Sequence, residues 1–315
     1  MKNILTVLLF LLIFTNQIKA QGCSDAGFCT MGSMKPDQSF GRKNQVKLRS
    51  VEISQYFAET RFQNMIHSTT IDIGFSSGAK NSFQFKLPYT IVQTAGDENK
   101  SLTTQGLGDI SISYTRNLIN KPTYQLNFTV GAKIPTGDAN LKSPEGLALP
   151  MYYQTTLGTY DLVLGGSVLT RNWLFATGIQ HPFNRNGNQF FWQEWQTQNV
   201  PYQVSKYSNA NQLKRGTDIM LRIERNLRFS RYNAHIGLLA IHRLNNDNII
   251  DQTGKEVEVV NSSGTVINLL TGVGYAFSTR SAIKCIAGFK LITRDKTPDG
   301  LSREYVLTIG YAYSF

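Results

Sequence analysis

The chain has 315 residues, with 32 Lys and Arg against 21 Asp and Glu, and only 17 % of its residues are charged. It is rich in Gly (26), Phe (18) and Tyr (14). After the first twenty residues no apolar run approaches the roughly 20 residues that a spanning helix needs, so a helical membrane protein is excluded.

Residues 1–20, "MKNILTVLLFLLIFTNQIKA", place Lys2 before an apolar run from Ile4 to Phe14 and close on Ala20. That order is a secretory signal peptide, with cleavage expected between Ala20 and Gln21. A lipid on Cys23 is the competing reading, but "AQGC" lacks the aliphatic residue usual three positions before an acylated Cys. Removing Lys2 and Lys19 leaves 30 basic residues against 21 acidic, a net of +9. Export, and the lack of any stretch joining basic to stacking aromatic residues, argue against nucleic acid. Anionic headgroups or solutes suit this charge better.

Residues 21–44 have no strand period and read equally well as a small plug in a barrel mouth or as a periplasmic tail. Cys23 and Cys29 either pair as a disulfide closing a small loop or remain free thiols in that tail. No His lies near them, so no metal site is expected there.

From residue 45 to 315 the period is two. "YQLNFTVGAKI" (124–134) sets Tyr124, Leu126, Phe128 and Val130 against Gln125, Asn127, Thr129 and Gly131. Strands are expected near 45–57, 67–77, 81–93, 107–118, 123–134, 148–156, 161–170, 173–182, 190–198, 216–229, 232–244, 265–278, 280–292 and 303–315. Faces of about ten residues, aromatic strand ends and mid-strand charges favour a transmembrane antiparallel β-barrel over a soluble sandwich. The expected fold is therefore all-β, with about 14 strands and 12 as the fallback. Both termini fall in the periplasm, short turns on that side and long loops outside. The short link near 171 breaks that alternation.

Three stretches carry a family resemblance: "GLGDISISYTR" (106–116), "VGAKIPTGD" (130–138) and "LPMYYQTTLGTYDLVLGG" (149–166). Together they resemble the outer-membrane channel family named for phenol-degradation (meta-cleavage) pathways, related to the long-chain fatty-acid transporter-like barrels. The resemblance implies a barrel passing small, often hydrophobic or aromatic molecules, with fourteen strands and an N-terminal hatch. The segment 21–44 is shorter than such a hatch. Read physically, Pro135 ends a strand, and Thr136-Gly137-Asp138 and Gly108 punctuate strand boundaries.

No catalytic constellation stands out: His67, His181, His235 and His242 are scattered, no G-x-S-x-G occurs, and no cofactor is implied. "GDEN" (96–99) lacks the spacing of a calcium loop. The inward faces carry the candidate solute-contacting residues Lys47, Arg49, Lys86, Lys133, Arg222, Glu224, Arg228, Lys284 and Lys290. They read either as a basic wall favouring anions or as cross-strand pairs that stiffen the lumen.

The last strand puts Tyr311, Tyr313 and Phe315 on one face, resembling the signal that barrel-assembly machinery reads. The expectation is an outer-membrane channel for passive uptake of small solutes in a Gram-negative cell, in contact with outer-membrane lipid including lipopolysaccharide. The alternative is a non-conducting barrel that docks a partner in an envelope complex.

Overall fold

The computed structural model describes residues 30–35, 46–94, 102–196 and 204–315. The signal peptide, Cys23, Cys29 and the "GDEN" stretch lie outside these residues. Alternating sequence becomes antiparallel wall: β1 (Val46–Thr60), β2 (Asn64–Ser77), β3 (Asn81–Thr94), β4 (Thr103–Leu107), β5 (Ile110–Asn120) and β6 (Tyr124–Ile134) follow one another. The wall continues through β7 (Asp161–Thr170), β8 (Trp173–Pro182), β9 (Asp218–Phe229) and β10 (Tyr232–Arg243). A small hairpin, β11 (Asn248–Ile250) and β12 (Glu256–Glu258), stands apart from the main sheet, and β13 (Gly264–Ala276), β14 (Ser281–Ile292) and β15 (Arg303–Ser314) complete the wall.

Among the described residues twelve strands form a closed ring, because β15 pairs with β1 from Ser50↔Ser314 to Thr60↔Arg303. Closure leaves no strand edge in lipid, where an unpaired backbone group costs several kcal/mol. β4 pairs with the far half of β3 (Tyr89↔Leu107) and β5 with the near half (Lys86↔Ser111), so the two continue one another across a break at Gly108-Asp109.

Two of the fourteen expected strands are not strands. Residues 148–156 hold a 3-10 turn, Met151–Tyr153, and 190–198 a short helix α1, Trp192–Gln196. Both segments are apolar, but their side chains bury inward instead of facing lipid: Tyr152, Tyr153, Phe190 and Trp195 share one cluster with the wall residues Ala58, Ile66, Val92 and Val306. Pro150, which has no N–H to donate, precedes the 3-10 turn. Removing these two strands restores the alternation. The connections 78–80, 121–123, 171–172, 230–231 and 277–280 then fall at one end, including the link near 171, and the long loops fall at the other together with the short link 61–63.

The outer wall is apolar. Ile53, Leu221 and Val273 are 50–59 % exposed, and Ile219 and Ile223 on either side of Leu221 are 38 % exposed. Rings gather at the short-turn end: Tyr232–Tyr275 at 4.9 Å, Tyr275–Phe277 at 5.2 Å and Trp173–Phe175 at 5.9 Å. That is the interfacial position for aromatic side chains in a bilayer.

Candidate functional site: the barrel lumen

Cross-strand registers stack the inner wall in layers. Val306, Ala58, Ile66 and Val92 lie side by side across β15, β1, β2 and β3. The next inward row toward the short turns is Thr308, Tyr56, Ser68 and Thr90, with Ser68 Oγ and Thr90 Oγ1 2.9 Å apart. Two rows further on come Glu52, Asp72 and Lys86. A lumen wall thus passes from aliphatic to hydroxyl to charged because inward residues recur at every second position.

Residues 30–35 lie within this lumen. Met31 and Met34 are buried against Val163, Ala176, Met220, Leu239 and Leu270, and the Ser33 N–H donates to Thr129 Oγ1 at 2.7 Å. Lys35 reaches Asp72 at 2.7 Å and Glu52 at 2.9 Å. The segment has no period of its own, and its packing is set by partners distant in sequence.

The candidate cations divide into three groups. Lys133 is buried against Asp109 at 3.0 Å, Arg222 Nε donates to Glu224 at 3.0 Å, and Lys290 pairs with Glu304. These are wall pairs. Lys86 and Lys284 line the cavity beside Lys35: Lys86 donates to Thr30 Oγ1 at 2.7 Å and lies 3.8 Å from Asp72, and Lys284 lies 3.9 Å from Glu52. Lys47 and Arg228 are exposed toward the short-turn end, and Arg49 donates to Ser76 Oγ at 2.6 Å. On the outer wall Tyr311 and Phe315 are exposed, and Tyr313 packs edge-on to Phe315 at 5.0 Å.

Within the lumen lies a cavity of about 340 Å³. Its upper boundary includes Met151, Leu157 and Leu301, and its lower reaches include Arg228, Asn233 and Lys284. Arg303 also lines it, and its guanidinium donates to the Gly300 carbonyl at 2.5 Å.

Above the cavity the long loops fold inward into a packed layer. Tyr152, Tyr153, Tyr207 and Phe62 interlock with centroids 4.7–5.8 Å apart. Burial pushes the Tyr152 phenol up to about 12 and raises Tyr207 as well. Beside this layer sits a buried charge cluster that alternation did not reveal. Arg243 binds Asp218 through Nε and Nη2, both at 2.8 Å, and reaches Asp247 at 2.9 Å and Asp299 at 2.7 Å. Arg215 reaches Asp161 at 3.1 Å and Asp218 at 3.3 Å, and Arg294 lies 3.7 Å from Asp299. Burial alone would raise the Asp299 carboxyl, but Arg243, Arg294 and Arg215 outweigh it and hold it well below the usual carboxylate range. Burial does raise Asp247, although Arg243 opposes the shift.

The three short motifs meet at this level. Thr136 donates to the Gly108 carbonyl, and a Cβ on Gly137 would stand 2.2 Å from the Leu107 carbonyl oxygen. Asp109 accepts from Thr156 and Lys133, and Asp161 accepts from Thr159 at 2.7 Å while holding Arg215. Gly108, Gly137 and Gly158 stand where the chain passes too close for a Cβ, and the Thr hydroxyls bond a carbonyl or an Asp.

The four histidines stay apart: His67 packs on Phe57, His181 bonds Thr217, His242 bonds Thr265, and His235 lines the cavity. Among the described residues no group of His, Cys, Asp or Glu is arranged to hold a metal ion.

A closed antiparallel ring with an apolar belt, an aromatic girdle and a charged interior is an outer-membrane β-barrel of a Gram-negative cell. Among solved structures the chain is similar to an outer-membrane channel from Pseudomonas putida F1, at 13 % identity and TM-score 0.55, over 87 % of this chain and 97 % of that one. It is also similar to the NanC porin, at 7 % identity and TM-score 0.47 over 84 % and 100 %. A third is outer membrane phospholipase A from Escherichia coli, at 7 % identity and TM-score 0.37 over 85 % and 98 %. The first of these shares the fold, and the other two are too distant to carry more. No family model matches the chain, and no curated protein does.

Proposed function

We propose that the barrel is a channel for small anionic solutes. The observation that carries this reading is the balance of charge on the cavity. Among the described residues its lining holds six cations, Lys35, Lys86, Arg222, Arg228, Lys284 and Arg303, against four carboxylates, Glu52, Asp72, Asp109 and Asp299. Arg228 and Arg303 line the same space with no carboxylate in salt-bridge reach among the described residues. Positive linings favour anions in pores. The similar barrel from Pseudomonas putida is an outer-membrane channel, which supports the reading, as does the resemblance carried by "GLGD" and "PTGD". That family resemblance adds aromatic or hydrophobic acids to the candidate solutes, which suits the aliphatic row above the hydroxyl row.

The loop layer and residues 30–35 leave a second reading, in which the filled barrel conducts nothing and docks a partner. Uptake of a small carboxylate such as benzoate into proteoliposomes, with and without residues 21–44, separates the two. Uptake by the whole chain supports the channel, and uptake only after deletion makes the segment its plug. No uptake in either form contradicts the channel reading.

A further inference from the structure

The five turns at the end opposite the long loops share a feature that the lumen does not explain. Each carries one basic residue, Lys80, Lys121, Arg171, Arg231 or Arg280, and none carries Asp or Glu. All five residues are exposed. Two more cations stand on the outward face near the same end. Arg116 lies opposite Phe128, and Arg225 opposite Trp173 with its guanidinium 5.0 Å from the ring centroid. Lys121 sits 5.6 Å from the Tyr124 ring. Among the described residues every acidic side chain either points into the lumen or belongs to the long-loop end, where Asp138, Glu145, Asp251, Glu256 and Glu258 sit.

From this collar we infer that the short-turn end binds the phosphate headgroups of anionic phospholipid in the leaflet it meets. The inference rests on the membrane placement of the barrel and not on conduction. Three physical points support it. Aromatic rings fix the depth of the interface, and cations beside them lie at headgroup level. Ring contact pre-orients Arg225 and Lys121. The cations also encircle the barrel, one per hairpin, and two stand on the lipid-facing wall itself. A soluble acidic protein or a polymer strand would touch one side and would not reach Arg116 or Arg225. Lipid surrounds the whole ring.

The test is the thermal transition of the full chain in phosphatidylcholine vesicles with and without phosphatidylglycerol. The expected result is a rise of several degrees with phosphatidylglycerol that shrinks in molar salt, since ligands that bind the folded state raise its transition and exposed charge is screened. In the variant K80Q/K121Q/R171Q/R231Q/R280Q the rise falls below half while the transition in phosphatidylcholine stays put. R116Q/R225Q gives a smaller loss in the same direction and serves if the fivefold variant does not fold. An equal rise in wild type and variant, or no rise in wild type, overturns the inference. So does a rise with lipopolysaccharide alone, or loss of binding to purified peptidoglycan with the lipid effect intact.

Discussion

Arginine does opposite work at the two ends of this barrel. At the long-loop end Arg215, Arg243 and Arg294 are buried and each reaches one or more carboxylates. At the short-turn end Arg171, Arg231 and Arg280 stand in exposed turns. A buried charge with its partners removed is strongly destabilising, whereas an exposed one contributes little beyond what solvent and lipid return. Rigidity is therefore concentrated where the loops close over the cavity, and lipid contact where the turns are short.

The largest effect is expected from Arg243→Met, which removes the 2.7–2.9 Å guanidinium contacts of Asp218, Asp247 and Asp299 and leaves Asp218 and Asp299 only the longer ones from Arg215 and Arg294. Chemical unfolding of the reconstituted barrel should show a loss of about 3–5 kcal/mol. A loss no greater than that of an exposed turn cation would erase the contrast between the ends.

Next comes acid sensitivity at the loop end. Asp299 has a lowered folded-state pKa, so its contribution is complete above its unfolded value of about 3.9 and is lost as pH falls through the folded value. Asp247, raised by burial, has the opposite sign: its contribution is present at low pH and lost as pH rises. Because Asp299 is held by three guanidinium groups, the transition temperature should drop steeply below about pH 4. Asp299→Asn should lower stability at neutral pH and flatten that acid limb. An unchanged limb would remove Asp299 from the account.

Deleting Phe315 should slow insertion by the assembly machinery more than it lowers the stability of folded barrel, measured as yield in the outer membrane against unfolding of the purified form. Equal loss in both would reduce the residue to packing against Tyr313. The smallest effect is Arg231→Gln, expected within about 0.5 kcal/mol in neutral lipid. A larger loss there would show that the turn cation has a structural partner after all.

Much of the wall was legible in the sequence because lipid outside and water inside enforce a period of two. The pairing of 303–315 with the first strand follows from the same demand for closure. Alternation misleads at 148–156 and 190–198, where apolar side chains at similar spacing bury against other loops. Of the cavity, Lys86, Lys284 and Arg228 were visible as inward residues, while Lys133 and Arg222 proved to be occupied by Asp109 and Glu224. Arg215, Arg243, Arg294, Asp247 and Asp299 gave no signal, because they come from separate loops and strand ends and meet only in the folded chain. Asp161 had a faint one, the "GTYD" turn.

The central claim is that charge on the open cavity makes this a channel for anions. The reversal potential of single channels in a potassium chloride gradient tests it most directly. Anion preference that weakens in Lys284→Gln and Arg228→Gln is the predicted result. Cation preference, or the absence of any conductance from both the full chain and the form lacking residues 21–44, would contradict it.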